Sequence, residues 1–296
     1  MKNILVTGGN GQVGMELQSL QAQYPIFTFR FTDAKDLDIT DTTAINKYFD
    51  SFRPDYIYNC AAFTAVDKAE EATGVALKVN TIGAENLAKA AKKYGSKLFH
   101  ISTDYVYDSS QNTPYIEGDD AHPSGIYAIT KYLGDKAVLD ILPTSLILRT
   151  SWVYSSFGHN FVKSMQKFGV ERDQLNIVYD QIGTPTYAHD LAKAMLDITQ
   201  KLELKEIEPS VAQGVFHYSN EGVASWYDFA MAIFELEGIQ CDVQPILSKE
   251  YPTPARRPPF SLMDKGKFKA TFGLPIPYWR ESLVACLKEL KNKVTV

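Results

Sequence analysis

The sequence predicts an α/β fold: a doubly wound, mostly parallel sheet with a smaller C-terminal lobe. Two observations carry this for the first half, where short apolar runs alternate with amphipathic stretches and a glycine cluster follows the first run directly. A third concerns the second half. Its rhythm loosens from about Ser155, and it holds the proline-rich stretch Tyr251-Pro-Thr-Pro-Ala-Arg-Arg-Pro-Pro259, which cannot be regular helix or central strand.

Taken in order, the short apolar runs Asn3–Thr7, Ile26–Thr32, Tyr56–Asn59, Lys97–Ser102 and Ser145–Arg149 predict strands. Between them Gln12–Gln21, Thr42–Phe52, Val75–Tyr94 and Tyr127–Leu139 repeat apolar residues three or four apart, the period of a helix with one buried face. Strand and helix alternating in this way close through right-handed crossovers onto a mostly parallel sheet, whose ligands sit at the carboxyl ends of the strands. The expected organisation is a sheet-forming unit over residues 1–154, rejoined by about 180–220. A substrate-binding lobe is expected from about 155–180 and 221–275, followed by a terminal helix within 276–296. That helix, predicted over Trp279–Lys291, carries Leu283, Val284 and Leu287 as its packing face.

Composition narrows the function classes. With 296 residues, 45% of them hydrophobic, the chain can bury a substantial core. Its 30 basic and 35 acidic residues give a net charge of -5 with no basic cluster, which argues against a nucleic-acid partner. Cys60, Cys241 and Cys286 lie far apart, with neither metal-binding spacing nor the even count of a disulfide framework, and are expected to be small buried side chains in a reducing compartment. The run Ile4-Leu5-Val6 ends at the glycines, far short of a signal-peptide core or a membrane span. A cytoplasmic protein without a membrane partner is expected.

The segment Thr7-Gly8-Gly9-Asn10-Gly11-Gln12-Val13-Gly14 lies between a strand and a helix, the context in which a glycine-rich loop binds a dinucleotide. Glycines permit the tight turn and the close approach of a pyrophosphate, which the helix N-terminus stabilises through its free N–H groups and dipole. The 1–154 unit therefore reads as a Rossmann-like dinucleotide-binding domain. Asp33, at the end of the second strand, stands where an acid accepts hydrogen bonds from the adenosine ribose. An Asp there favours NAD, but Arg30 nearby leaves NADPH and NADH both open.

Tyr127-Ala-Ile-Thr-Lys131 opens a helix, and its i, i+4 spacing places phenol and ammonium on one face. An ammonium about 4 Å from a phenol of ordinary pKa near 10 favours the phenolate by up to about 4 kcal/mol at an effective dielectric of about 20, which predicts a tyrosine acidic enough for proton transfer near neutrality. Ser102-Thr103-Asp104-Tyr105-Val106-Tyr107 follows the fourth strand, where a hydroxyl can hydrogen-bond a substrate carbonyl and share its developing charge. Asn59-Cys-Ala-Ala-Phe-Thr-Ala-Val-Asp67 follows the third, with small residues that would let a nicotinamide ribose approach.

The glycine loop, the Ser-Thr-Asp-Tyr-Val segment and Tyr-x-x-x-Lys together resemble the extended short-chain dehydrogenases/reductases, a family of nucleotide-sugar oxidoreductases, epimerases and dehydratases. Finer stretches, Gly11-Gln-Val-Gly14, Thr64-Ala-Val-Asp-Lys-Ala-Glu70, Arg149-Thr-Ser-Trp-Val-Tyr154, Asn160-Phe161, Asp180-Gln-Ile-Gly-Thr-Pro-Thr186 and Tyr251-Pro-Thr-Pro-Ala-Arg-Arg-Pro258, are similar to the dTDP-4-dehydrorhamnose reductases. The similarity runs from Gly8 to about Lys267.

The resemblance implies reduction, with NADPH or NADH, of the 4-keto group of dTDP-4-dehydro-L-rhamnose to dTDP-L-rhamnose, in surface polysaccharide biosynthesis. It implies Gly8, Gly11, Gln12, Val13 and Gly14 at the pyrophosphate, Asp33, Asp38 and Ile39 at the adenosine, and Ala62, Phe63 and Thr64 at the nicotinamide. Thr103, Tyr127 and Lys131 would form the catalytic set, the last two also touching the cofactor, with Tyr105 and Trp152 against the sugar. Arg257 would pair a substrate phosphate, with Arg256 competing for the role. Some members of that family dimerise around Mg2+ held by acidic side chains. Glu16 matches the first ligand but His189 falls on the second, beside Asp190, and Mg2+ prefers oxygen, so no metal is expected and a homodimer stays open. Two other functions stay open as well: reduction of a different dTDP-4-keto-6-deoxysugar, and the non-catalytic role of a methionine adenosyltransferase regulatory subunit, against which Thr103, Tyr127 and Lys131 argue.

Overall fold

The computed structural model describes residues 1–294. Six strands form one parallel sheet: β1 (Lys2–Thr7), β2 (Phe27–Thr32), β3 (Tyr56–Asn59), β4 (Lys97–Thr103), β5 (Leu146–Thr150) and, after β6 (Gln174–Val178), β7 (Gly214–His217). β6 pairs in parallel with β8 (Asp242–Ile246) outside that sheet. The order across the main sheet is β7-β5-β4-β3-β1-β2. Since β1 bonds β2 on one side and β3 on the other, the direction of winding reverses there, and a crevice opens at the carboxyl ends of β1 and β3.

Successive side chains of a strand point to opposite faces, and both faces here are covered. Ile4 and Val6 of β1 join a core with α1 (Gln12–Leu20), while Leu5 between them joins one with α2 (Thr42–Phe52). Next in the chain come α3 (Val66–Glu71), α4 (Thr73–Leu77), α5 (Ala84–Tyr94) and α6 (Ile126–Ile141). A separate core lies in the C-terminal half, where α7 (Phe161–Glu171) precedes α8 (Ala188–Glu203), α9 (Trp226–Glu237), α10 (Gly266–Phe272) and α11 (Trp279–Val294). Val162, Met165, Phe229, Ile233 and Leu283 pack there against Leu175 and Val243 of β6 and β8. Leu191 of α8 and Phe216 of β7 instead bury in the core of the main sheet.

The strands predicted from the apolar runs are all present. Two expectations about helices need correction. Val75–Tyr94 is not one regular helix: between α4 and α5 the chain makes a π-helical turn over Lys78–Gly83. The apolar spacing is blind to that extra residue, which brings Asn80 inward to bond the segment after β3. In α11 the buried face is Leu283, Cys286 and Leu287, while Val284 is 50% exposed, because 100° per residue carries it off the i, i+3, i+4 stripe. All three cysteines are free, and Cys60 and Cys241 are only partly buried. Among the described residues no helix is long and apolar enough to cross a membrane.

Candidate active site

At the crevice the glycines are required by space. Gly8 has φ +69°, and a Cβ on it would stand 2.7 Å from the Ala61 nitrogen and the Cys60 carbonyl carbon, so the end of β1 lies directly on the chain leaving β3. A Cβ on Gly14 would come within 2.5 Å of the Gly9 oxygen, so α1 starts tight against the loop. Gly11 is the N-cap of α1 and no side chain caps it, which leaves the first N–H groups of that helix, those of Gln12 and Val13 among them, for an anion. A pyrophosphate fits this cradle. The Gln12 side chain is itself engaged with Val153 O at 3.3 Å and with Asn160 Nδ2 at 3.0 Å, so its backbone N–H is what it offers.

Asp33, past the end of β2, accepts from Lys35 N at 2.8 Å and from Asn10 Nδ2, and the Lys35 amide holds its carboxyl below the usual range. Arg30 places its guanidinium over the Phe52 ring, 4.7 Å from the centroid. Asp38 Oδ1 accepts from Thr40 N at 2.8 Å. Ile39 turns its side chain into the core beside Gly83, so only its backbone is left for an adenosine. On the other side of the crevice Asn80 grips Phe63 from both directions, accepting from its N–H at 2.8 Å and donating to its carbonyl at 3.2 Å. Ala62 and Phe63 are half-buried and Thr64 is exposed. The sequence did not single out Asn80, since nothing in a helical pattern marks a π turn.

Tyr127 lies in the first turn of α6. Gly125, its N-cap, has φ +87° and no capping side chain of its own; Glu70 from α3 supplies the cap, its Oε1 accepting from Ile126 N at 2.8 Å. Glu70 thereby aims the start of α6 at the crevice. Tyr127 is half-buried, and the Tyr105 ring meets it edge-on at 5.6 Å and 83°. Thr103 ends β4, where its Oγ1 accepts from Tyr105 N and donates to Asp104 Oδ1, both at 3.2 Å. Asp104 is buried, also accepts from Ser261 Oγ at 2.5 Å, and is pushed up to about 7 by burial.

The expected direct effect of Lys131 on Tyr127 is not what the geometry gives. Lys131 is 2% exposed, and its Nζ donates to Ile101 O at 2.7 Å, with His100 Nε2 at 3.4 Å. Burial pushes the Tyr127 phenol up to about 12, against which the Thr103 hydroxyl works, and burial brings Lys131 down to about 8. Tyr127 is thus a neutral donor that keeps its proton through the physiological range. An alkoxide is a stronger base than a phenolate, so proton transfer to a ketone oxygen that is becoming one runs downhill from a phenol in this state.

Trp152 adopts a left-handed backbone, φ +45°, and stacks on Trp226 with ring centroids 3.8 Å apart and planes at 8°. A φ in that region costs a non-glycine residue about 1 kcal/mol or more and is typically kept where function needs it. Arg257 is already engaged: its guanidinium grips Asp67 at 2.7 and 3.1 Å. Arg256 makes no ion pair or hydrogen bond among the described residues and lines a cleft with Tyr105, Tyr107, Asp108, Ser124 and Pro258. Of the two arginines, Arg256 is the one whose fork stands free. Away from the crevice, Glu16 is buried and bonded to Ser155 Oγ at 2.6 Å and His189 Nδ1 at 3.1 Å. A carboxylate and an imidazole do not make the oxygen shell that Mg2+ prefers, and among the described residues no group of three or more His, Cys, Asp or Glu could hold a metal.

The model of the RmlD substrate binding domain matches residues 1–292. The chain belongs to that family. Relatives of this chain include several dTDP-4-dehydrorhamnose reductases. This chain is 39% identical over 290 residues to the dTDP-4-dehydrorhamnose reductase of Aggregatibacter actinomycetemcomitans, covering 96% of this chain and 97% of that one. Among solved structures of the family, the Clostridium acetobutylicum dTDP-4-dehydrorhamnose reductase superposes with a TM-score of 0.91 at 41% identity, covering 98% and 99% of the two chains. The Bacillus anthracis enzyme, solved in complex with NADP, does so at 0.90 and 36%, covering 98% and 100%.

Proposed function

We propose that the chain reduces the 4-keto group of dTDP-4-dehydro-L-rhamnose to dTDP-L-rhamnose. The observation that carries this reading is the meeting of Thr103, Tyr105, Tyr127 and Lys131 at the carboxyl end of β4 and the start of α6, beside the glycine cradle. Reduced nicotinamide, NADPH or NADH, supplies the hydride when bound. Gly8, Gly11, Gly14 and the N–H groups of Gln12 and Val13 hold the pyrophosphate, with Asp33 and the Asp38–Ile39 backbone at the adenosine end. Ala62, Phe63 and Thr64 border the nicotinamide, in a segment pinned by Asn80. Thr103 orients the ketone oxygen, Tyr127 protonates it, and Lys131 supplies fixed positive charge beneath the site, where a well-placed donor contributes roughly 100- to 10,000-fold in rate. Tyr105 and Trp152 close on the sugar, while Arg256 and Arg257 face the diphosphate.

The test is substrate-dependent oxidation of NADPH or NADH, with the product identified as dTDP-L-rhamnose. Tyr127→Phe keeps the ring and removes the acidic proton, so cofactor binding persists while kcat falls about 100-fold or more, roughly 2.7 kcal/mol in the barrier. Turnover only with another dTDP-ketosugar makes the chain a sister reductase. No turnover with any, together with a stoichiometric protein partner on purification, favours the regulatory-subunit role.

A further inference from the structure

Beneath the site runs a line of buried polar side chains. Thr7 Oγ1, at the end of β1, lies 2.8 Å from Asn59 Oδ1 at the end of β3. Asn59 Nδ2 lies 2.9 Å from His100 Nδ1 on β4. His100 Nε2 lies 3.4 Å from Lys131 Nζ and 3.6 Å from Asp135 Oδ1, an oxygen with no hydrogen bond of its own. None of Thr7, Asn59, His100, Lys131 or Asp135 is more than 2% exposed. Asp135 also accepts from Ser102 Oγ at 2.7 Å and lies 3.5 Å from Arg149 Nε. It is one helical turn beyond Lys131, so Tyr127, Lys131 and Asp135 share one face of α6.

We propose that His100 is a positioning residue for Lys131: its neutral imidazole, oriented by Asn59, presents the Nε2 lone pair to the ammonium and ties it to the strand end that carries the glycine loop. The inference rests on the reductase reading above. A lysine this deeply buried needs acceptors. The Ile101 carbonyl provides one, and the Asp135 carboxylate is shared with Ser102 and Arg149. A neutral histidine carries one proton, so Nε2 accepts when Nδ1 holds it. The arrangement requires a half turn of the Asn59 amide, which is near-isosteric end for end: its oxygen then accepts from Nδ1 and its nitrogen donates to the Thr7 hydroxyl, in place of the bond from Thr7 Oγ1 to Asn59 Oδ1. Burial and the nearby ammonium keep the imidazole neutral, holding His100 well below its ordinary range. The groups facing Lys131 are then complete: His100 and Ile101 O from β4, Cys60 after β3, and Asp135 from α6, with Arg149 of β5 behind it.

Two variants separate positioning from packing. In His100→Gln the side-chain amide stands near Nε2 and can still accept from Lys131; in His100→Asn it stands near Nδ1, keeping Asn59 company and leaving the lysine without that acceptor. The Lys131 titration, read from its 13Cε resonance in lysine-labelled protein, is expected near pH 8 in the wild type and in His100→Gln. In His100→Asn it moves at least half a pH unit lower, since losing an acceptor disfavours the ammonium. The alkaline limb of the kcat profile moves with it, and kcat at pH 7 falls roughly tenfold while KM and cofactor affinity hold. An unmoved Lys131 titration in His100→Asn, or equal losses in both variants, overturns the inference. If the wild type turns over no dTDP-ketosugar, the reductase reading fails instead, and the resonance still reports whether His100 holds Lys131.

Discussion

Asp104 offers a sharp test of how the site is held. Its carboxyl is buried beside Thr103 and Ser261 and titrates near 7 rather than at the ordinary 3.8. Folding therefore favours its protonated form. That contribution is fully present below pH 3.8, the unfolded value, and is lost as pH rises through about 7. A rise of roughly three pH units, at about 1.36 kcal/mol each, sets the loss at up to about 4 kcal/mol by pH 8. Asp104→Asn keeps the shape and an acceptor for one hydroxyl and cannot ionise. Urea unfolding from pH 4.5 to 8 is expected to show the variant gaining on the wild type by about 2 to 4 kcal/mol across that window. His217, pushed down to about 3 by burial, imposes the opposite trend as pH falls below 6.5, but it does so in both proteins and cancels in the difference. Wild-type and variant stability curves that run parallel would refute the reasoning, for they would mean that the carboxylate is ionised in the folded protein at no cost.

Three other outcomes follow from the geometry. Gly11→Val puts a branched side chain at the mouth of the cradle and is expected to abolish the fluorescence enhancement of bound NADPH or NADH while the protein stays folded; unchanged binding in a folded variant removes the loop from the site. Arg256→Ala is expected to raise KM for the dTDP-sugar about tenfold with thermal stability unchanged, whereas Arg257→Ala, which strands Asp67, should lower the unfolding midpoint as well; identical profiles would erase the distinction between the two. Activity is expected to survive EDTA, because Glu16 is bonded to Ser155 and His189; a loss reversed by Mg2+ would place a metal there after all.

Much of the molecule is legible in its sequence because the signals are local. A strand buried on both faces reads as an apolar run, a half-buried helix repeats every three to four residues, and a loop that must touch a phosphate is short of side chains; β1, α1 and Gly8 to Gly14 follow from such rules. The spacing of Tyr127 and Lys131 likewise puts them on one helical face without any tertiary knowledge. What those two residues can do does not follow from spacing. Their ionisation depends on burial and on partners far away in the chain, and the fold hands Lys131 to Ile101 and His100, so that Tyr127 is a weaker acid than the pair alone predicts. The same holds for Arg257, paired with an aspartate 190 positions earlier, for Glu70 capping α6, and for the π turn that turns Asn80 inward. Periodicity records which side of an element is dry. Which polar groups meet across elements is set by packing, because a buried charge or amide takes whatever partner the folded chain brings within about 3 Å of it.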